Sequence, residues 1–171
     1  AVERLMVNFT NPDPALGENR SEFIGGNNNR NPHPFLADYA VRRALSLAID
    51  RQVLVEAGYG QAGKISCNVL PAPAIYASSA DDECKTPNVA EANRILDEAG
   101  WKKGSDGVRQ KDGVRISILY QTSTNSVRQG TQAFIKEMCR QIGVETELRN
   151  ISASFFLGGD VGSPETYQKD Y

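Results

Sequence analysis

Apolar residues recur at steps of three and four along three stretches of the chain, and this spacing predicts three amphipathic helices. The stretches cover residues 38–60, 88–100 and 125–143. Each begins at Asp or Asn, which are favourable N-caps, and each ends at glycine, which readily adopts the conformation that closes a helix. The apolar face of the third predicted helix comprises Val127, Phe134, Ile135, Met138 and Ile142.

Shorter apolar patterns predict strands. Residues 4–9 alternate apolar and polar side chains, and residues 107–115 contain an Asp-Gly pair that favours a hairpin turn between two extended runs. Residues 116–120 are apolar enough for an interior strand, and residues 144–150 alternate as another strand. Because a helix separates these last two strands, we expect them to lie parallel in one sheet.

The segments between these elements are rich in turn-forming residues. Residues 10–34 are dense in Asn, Pro and Gly and predict a long loop, in which His33 stands between two prolines as a solvated histidine. Residues 151–171 begin with a short predicted helix at 152–157 and continue with Gly, Pro and polar residues. We therefore expect one partial domain over residues 1–171, with a C-terminal segment that is truncated in mid-domain.

The composition narrows the class of protein. The chain has 171 residues, of which 40% are hydrophobic and 23% are charged, and its net charge is −2. The length and the apolar content are enough for one buried core. The charges of both signs are interspersed, so the sequence gives no sign of the basic face with which proteins bind nucleic acid or an anionic membrane surface. The apolar runs are far shorter than the roughly 20 residues that cross a bilayer, and the N-terminus shows no signal-peptide pattern. We expect a globular domain without a nucleic acid partner.

Motifs of catalytic, cofactor and metal sites are missing from the sequence. It contains no nucleophile elbow, no dinucleotide or phosphate-binding glycine motif and no Cys/His spacing typical of zinc. Its single histidine lies in the predicted loop, and the acidic run at 81–83 is typical of a solvated loop. We therefore expect no metal, no cofactor and no enzymatic activity.

The three cysteines leave two interpretations open. Cys67 and Cys84 flank a segment rich in Pro, Ala and Ser, so a disulfide between them would close a surface loop and suit an oxidising compartment. Cys139 falls within the third predicted helix. The alternative is three buried or incidental thiols.

Residues 41–51, which read VRRALSLAIDR, closely resemble the V-R-x-A-L-x-x-A-I-D-R helix of the extracellular solute-binding protein family that includes the periplasmic dipeptide and oligopeptide receptors. The resemblance continues in order through residues 36–38, 59–60, 96–101, 106–109 and 142–144. It implies an α/β fold, with this chain forming an incomplete lobe of the type-2 periplasmic-binding-protein fold, a mixed sheet flanked by helices.

The same resemblance implies a function. Members of the family capture a short peptide or similar small solute in a cleft between two lobes and deliver it to an ABC permease, so we expect a periplasmic or otherwise extracytoplasmic protein. Contact with the membrane would run through the permease or a lipid anchor outside this chain. A ligand-free interaction or sensory module on the same fold is the alternative, and an enzyme on this scaffold is a third.

The ligand contacts are expected where the strand at 116–120 ends, because open α/β sheets bind ligands at the carboxyl ends of their strands. This polar stretch comprises Tyr120, Gln121, Thr122, Ser123, Thr124 and Asn125. A second candidate is the end of the first predicted strand, at Asn8 and Thr10. The alternative for the first stretch is a solvated turn followed by an Asn125 N-cap. Arg128 is the cation nearest to this stretch in the sequence, but its place inside the predicted helix argues against a role in binding a carboxylate group of the ligand.

Other residues of the resembling motifs have structural interpretations. Arg42, Asp50 and Arg51 lie on the polar side of the first predicted helix and suit packing or ion pairing. Trp101, directly after the glycine that ends the second predicted helix, suits a hydrophobic contact at a helix cap more than ligand stacking.

Overall fold

A computed structural model describes residues 2–17 and 31–158 of the chain. The parts of the predicted 10–34 loop and of the predicted 151–171 segment that fall at 18–30 and 159–171 therefore lie outside the described residues. Within the described residues the structure contains five α-helices, five strands and short 3₁₀ turns.

The first predicted helix is two helices, α1 (Tyr39–Ala48) and α2 (Arg51–Gly58). Ile49 and Asp50 between them have extended backbones, and the Asp50 side chain caps α2 by accepting from the backbone N–H groups of Gln52 (3.0 Å) and Val53 (3.2 Å). The prediction of a single long helix was wrong, because the apolar spacing continues across the break. The break itself is made by the Asp50 carboxylate, which caps the second helix.

Helix α3 (Val89–Glu98) confirms the second predicted helix. The Asn88 side chain accepts from the Glu91 N–H at 3.0 Å, and Gly100 ends the helix with φ +88°. The Trp101 N–H then donates to the Leu96 carbonyl at 2.9 Å, which satisfies a carbonyl of the last turn, and the Trp101 ring is buried. Trp101 therefore closes α3 as a hydrophobic cap.

A small antiparallel sheet follows, formed by β1 (Lys102–Lys103), β2 (Arg109–Lys111) and β3 (Val114–Arg115). Strands β2 and β3 are the predicted hairpin, and the Asp112-Gly113 turn between them has φ values of +50° and +80°. The sequence did not predict β1, because two consecutive lysines carry neither apolar alternation nor β-branching.

The rest of the described chain runs β4 (Ser117–Ser123), α4 (Ser126–Gln141), β5 (Glu145–Ile151) and α5 (Ala153–Phe156). Strands β4 and β5 are parallel, as predicted, and α4 packs on both of them and on α1 and α2. Phe134 is exposed on α4, so its place on the predicted apolar face was wrong, and the polar Gln132 is buried in α4.

The core lies where α1, α3 and α4 meet the start of the strands. Its buried apolar residues are Phe35, Leu36, Val41, Ala44, Leu45, Leu47, Ala48, Ile49, Ala92, Leu96, Trp101, Ile116, Ile135, Met138, Cys139, Ile142 and Val144. Burial raises the pKa of the Cys139 thiol to about 11, so this free cysteine stays protonated.

The charged side chain of Arg109 is fully buried and joins several of the described elements. Its guanidinium donates to the Ile142 carbonyl (2.8 Å), the Asp97 carboxylate (2.7 Å), the Asn93 amide oxygen (2.7 Å) and the Trp101 carbonyl. These acceptors satisfy a charge that would otherwise be costly to bury. Arg109 thus connects β2 to α3 and to the end of α4.

Two predictions in the N-terminal region were wrong. Residues 4–9 form no strand: the backbone contacts beside them are an isolated bridge between Thr10 and Pro32 and a hydrogen bond from the His33 N–H to the Phe9 carbonyl at 2.7 Å. Among the described residues no neighbouring strand pairs with this run, and a strand is defined by such pairing. His33 is buried, and its Nδ1 accepts from the N–H groups of Phe35 (3.3 Å) and Leu36 (3.1 Å). These hydrogen bonds give the His33 ring a structural role, which the Asn-, Pro- and Gly-rich composition of the segment does not reveal.

The structure joins Cys67 and Cys84 by a disulfide, with their Cα atoms 5.9 Å apart. We call the enclosed residues, 67–84, the disulfide loop. Its carboxyl end is held by Arg51, which donates to the Cys84 carbonyl at 2.9 Å, and by Arg43, which pairs with the Glu83 carboxylate through two bonds of 2.8 and 3.0 Å.

Candidate functional site

Strand β4 extends further than the apolar pattern predicted. Gln121, Thr122 and Ser123 belong to it and pair with the last residues of β5, so only Thr124 and Asn125 separate β4 from α4. The assignment of all of residues 121–125 to a polar connecting stretch was therefore wrong. Backbone pairing with β5 holds these polar residues in the sheet. The polarity of the side chains gives no sign of this pairing, so the sequence pattern ended the strand too early.

The predicted site residues within β4 differ in their exposure. Thr122 and Ser123 are buried, whereas Tyr120 and Gln121 are half-buried. Burial raises the pKa of Tyr120 to about 12, so its hydroxyl remains a hydrogen-bond donor. The Gln121 Oε1 atom is buried and has no hydrogen-bond partner among the described residues. A buried amide oxygen without a donor is unusual and can accept from an incoming N–H group.

The two residues after β4 are exposed, and one of them has a clear structural task. The Asn125 side chain accepts from the Arg128 N–H at 3.2 Å and so caps α4. This matches the alternative interpretation of Asn125 as an N-cap. Thr124 is exposed and donates its backbone N–H to the Ile151 carbonyl at 3.0 Å.

Gln132 on α4 fixes the position of the strands beneath it. Its side-chain Nε2 donates to the carbonyls of Tyr120 (2.8 Å) and Arg149 (3.3 Å), and its Oε1 accepts from the Asn150 side chain at 2.6 Å. The buried amide therefore links α4 to both β4 and β5. The sequence analysis missed it, although a glutamine on the inner face of an amphipathic helix is a usable signal.

A charged cluster lies at the end of β4. The Arg128 guanidinium donates to the Ser123 hydroxyl at 3.4 Å and pairs with the Glu3 carboxylate at 3.1 Å. Burial, and then the same Glu3 carboxylate, raise the pKa of Tyr59. Long side chains in the first turn of a helix point back towards its N-terminus, which brings Arg128 to the end of β4 although it lies inside α4. Its predicted lack of a role in binding a ligand carboxylate stays a prediction.

The second candidate lies on the same N-terminal segment as Glu3. The Asn8 side chain accepts from the Thr10 N–H (2.9 Å) and from the Thr10 hydroxyl (2.7 Å), and Thr10 is buried. Those two residues thus form a local turn. The contact between their segment and the end of β4 is made by Glu3 through Arg128.

The motif arginines make structural contacts. Arg42 donates to the Leu36 carbonyl at 2.8 Å, and Arg51 donates to the carbonyls of Ser46 and Cys84, each at 2.9 Å. The structure shows the packing role predicted for both. Residues 41–51 therefore position α1, α2 and the disulfide loop.

Neither a metal-binding group nor a membrane span occurs in the described ranges. Across residues 2–17 and 31–158, no three His, Cys, Asp or Glu side chains are grouped as a metal ion would require. None of the helices formed by these residues is both long and apolar enough to cross a bilayer.

Solved structures with the same architecture define the class of protein. The oligopeptide-binding protein AppA from Bacillus subtilis, solved with a nonapeptide, is 28% identical, with a TM-score of 0.66 over 78% of this chain and 27% of that one. The oligopeptide-binding protein from Thermus thermophilus, complexed with a pentapeptide, is 29% identical, with a TM-score of 0.62 over 70% of this chain and 20% of that one. The predicted periplasmic-binding-protein fold is confirmed.

The sequence comparisons give the family. The sequence model of the bacterial extracellular solute-binding proteins, family 5 middle, matches residues 8–171, and the chain belongs to this family, as its motifs indicated. Protein XP55 from Streptomyces lividans is 38% identical over 112 residues, which are 65% of this chain and 20% of that protein. The oligopeptide-binding protein OppA from Lactococcus lactis subsp. lactis is 31% identical over 121 residues, which are 67% and 20% of the two chains. The chain spans about a fifth of the length of these curated relatives.

Proposed function

We propose that this chain is part of the substrate-binding component of an ABC-type peptide importer, and that the whole receptor captures a short peptide in a cleft and delivers it to a membrane permease. The observation that carries the proposal is the family match over residues 8–171, together with relatives named for oligopeptide binding and solved with peptides. The family consists of extracellular proteins, so capture would take place outside the cytoplasm.

Within the described chain, the proposed ligand contacts lie at the carboxyl end of β4. The unpartnered Gln121 Oε1 supports this choice, because a peptide ligand carries backbone N–H groups that would satisfy it. The Tyr120 hydroxyl, a donor, and the exposed Thr124 are further polar groups at this end of the chain segment. Gln132 and the Asn125 cap fix the elements that carry these groups, so the site would be preorganised.

The test is the Gln121→Leu variant of the full-length receptor. Leucine removes the amide while keeping most of the volume, so we expect peptide affinity to fall by about 1 to 3 kcal/mol, the usual cost of leaving a buried partner unpaired. Stability should not fall, because the lost oxygen makes no hydrogen bond among the described residues. Calorimetric titration with an oligopeptide and thermal melting measure the two effects.

Thr122→Val is the matched control on the same strand. The sequence predicted Thr122 as a ligand contact, but its side chain is buried, so we now expect its substitution to change stability more than affinity. Unchanged affinity in Gln121→Leu would place the ligand elsewhere. A full-length receptor that binds no peptide, or that binds peptide but does not support its uptake through the permease, would favour the interaction or sensory module instead.

A further inference from the structure

A pair of opposite charges lies at the same end of β4 as the proposed ligand contacts. The Arg128 guanidinium donates to the Glu3 carboxylate at 3.1 Å and to the hydroxyl of Ser123, the last residue of β4, at 3.4 Å. Among the described residues no other carboxylate pairs with Arg128. The side chains of Arg128 and Glu3 are 36% and 47% exposed, so a solute can reach both charges.

Two tyrosines show that both charges lie close to the proposed contacts. Burial is the main cause of the raised pKa of Tyr120; the negative charge of Glu3 raises it further, and the positive charge of Arg128 lowers it. The pKa of Tyr59 is also raised chiefly by burial, and the same two charges act on it in the same two directions. The ion pair is therefore near Tyr120, one of the proposed ligand contacts, and Glu3 supplies the charge that cancels Arg128 there.

The backbones that carry the two partners are both fixed. On the segment of Glu3, the next side chain, Arg4, donates to the Val69 carbonyl at 3.3 Å and so ties the segment to the disulfide loop. On α4, the Asn125 cap accepts from the backbone N–H of Arg128 itself at 3.2 Å. The pair therefore forms between positioned residues, which lowers the entropy that it loses on forming.

We propose that Glu3 is a specificity-determining residue of the proposed site: it neutralises Arg128, so a ligand gains nothing there from an anionic group, and the receptor takes neutral polar groups of the peptide at this point. The inference rests on the proposed function and adds a preference to it. A ligand carboxylate would reach Arg128 only by displacing the Glu3 carboxylate, which exchanges one ion pair for another. The displaced Glu3 would then lie unpaired beside the negative charge of the ligand, and like charges repel.

The test uses the full-length receptor and alanine pentapeptides in which each position in turn carries glutamate or glutamine. The measured quantity is the affinity of each glutamate peptide divided by that of its glutamine counterpart. For the peptide whose carboxylate meets Arg128, Glu3→Gln should raise this ratio roughly threefold over the wild type, the size of an exposed ion pair. Arg128→Gln should lower it by a similar factor, because Glu3 then repels the same carboxylate. The double variant Glu3→Gln/Arg128→Gln should return to the wild-type ratio.

Glu137→Gln is the control for net charge. It removes one negative charge and frees the exposed Arg140, its partner at 2.6 Å near the other end of α4, so it should keep the wild-type ratio for every peptide. The melting temperatures of all variants should stay close to that of the wild type, because the substituted side chains are exposed or half-exposed.

The inference is overturned if the two single variants leave every ratio unchanged, or if the double variant keeps the shift seen with Glu3→Gln. An equal shift in the Glu137→Gln control would also overturn it, because net charge and not position would then be the cause. Since the two single variants move the ratio in opposite directions, either of them tests the inference by itself. If the wild type binds none of the peptides, the proposed function itself fails, and the wild-type titration alone identifies that case.

Discussion

At the scale of single residues, Asp38 joins two elements that are far apart in the chain. One carboxylate oxygen accepts from the Ala40 N–H at 2.8 Å and caps α1, and the other accepts from the Trp101 indole N–H at 3.0 Å. Asp38→Ala should therefore lower the free energy of unfolding by about 2 to 3 kcal/mol, one part for the cap and one for the hydrogen bond to a charged group. Chemical denaturation measures the change.

The two contributions of Asp38 can be separated with a double-mutant cycle. Trp101→Phe removes the indole donor and leaves the cap, so Asp38→Ala should cost about 1 kcal/mol less in that background than in the wild type. Strictly additive effects would show that the bond between Asp38 and Trp101 contributes nothing to stability.

His33 makes stability depend on pH. Burial lowers its pKa from 6.5 to about 4, so between these values the unfolded chain binds a proton that the folded protein does not. The stabilisation is complete above pH 6.5, decreases as the pH falls and levels off below about 4. We expect His33 to account for a loss of roughly 2–3 kcal/mol over this range.

The measurement compares the unfolding free energy of the wild type and His33→Asn from pH 7 to pH 4. The asparagine oxygen can accept from the backbone N–H groups of residues 35 and 36 but does not titrate in this range. The variant should therefore lose less stability on acidification, since only the carboxylates contribute. Parallel pH curves for the two proteins would contradict the role given to the imidazole.

At the scale of elements, the junction where α4 ends against β2 leaves no room for a side chain at Gly143. A Cβ on Gly143 would lie 2.8 Å from the Arg109 Cγ and 2.9 Å from the Gly107 carbonyl oxygen, and Gly143 has φ +76°. Gly143→Ala should therefore destabilise by about 2 to 3 kcal/mol, from the positive φ and from displacement of the buried guanidinium. Thermal or chemical unfolding gives the value.

Gly130→Ala is the control within the same helix. Nothing lies within 4 Å of a Cβ at that position, so alanine should stabilise α4 by up to about 1 kcal/mol. Equal effects at the two positions would contradict the account of the junction.

The cysteines allow a prediction about the disulfide loop. Denatured protein that has not been reduced should show one reactive thiol, Cys139, and reduction should raise the count to three. In the native state Cys139 should react slowly at pH 8, because it is buried and its pKa is raised to about 11. In the chain-entropy model, closing a loop of this size stabilises the fold by roughly 3 kcal/mol. Three thiols in unreduced, denatured protein would contradict the bridge.

The elements that the sequence predicted correctly are those coded by local patterns. Capped amphipathic helices, the Asp-Gly hairpin and the parallel pair β4–β5 follow from spacing and turn residues. The extension of β4 and the burial of Arg109 depend on partners far away in the chain. The break at Asp50 and the hydrogen bonds of His33 are local, but apolar spacing and composition do not reveal which side chain accepts from the backbone. Family motifs predicted the class of protein because they are collinear, whereas the position of Arg128 beside Ser123 required three-dimensional coordinates.

At the scale of the whole molecule, the chain spans about a fifth of the length of its curated relatives, and we expect it to bind peptide weakly when it stands alone. A binding cleft covers most of its ligand, and closure of a second lobe would add further contacts. The isolated chain should bind an oligopeptide at least about a hundredfold more weakly than the full-length receptor, a difference of about 3 kcal/mol. Calorimetry on both proteins measures it, with circular dichroism as the check that the isolated chain is folded. Equal affinity would mean that the site lies entirely within this chain.

The burial of Trp101 also determines which part of this protein its tryptophan fluorescence monitors. Trp101 is the only tryptophan in the sequence, and its indole lies against Asp38, with the Lys111 ammonium 5.8 Å from the ring. Its fluorescence therefore reports the junction of α1, α3 and the β1–β3 sheet. The proposed peptide contacts are made by another element, the end of β4. A ligand that changes the tryptophan emission of this chain must therefore alter the packing around Trp101.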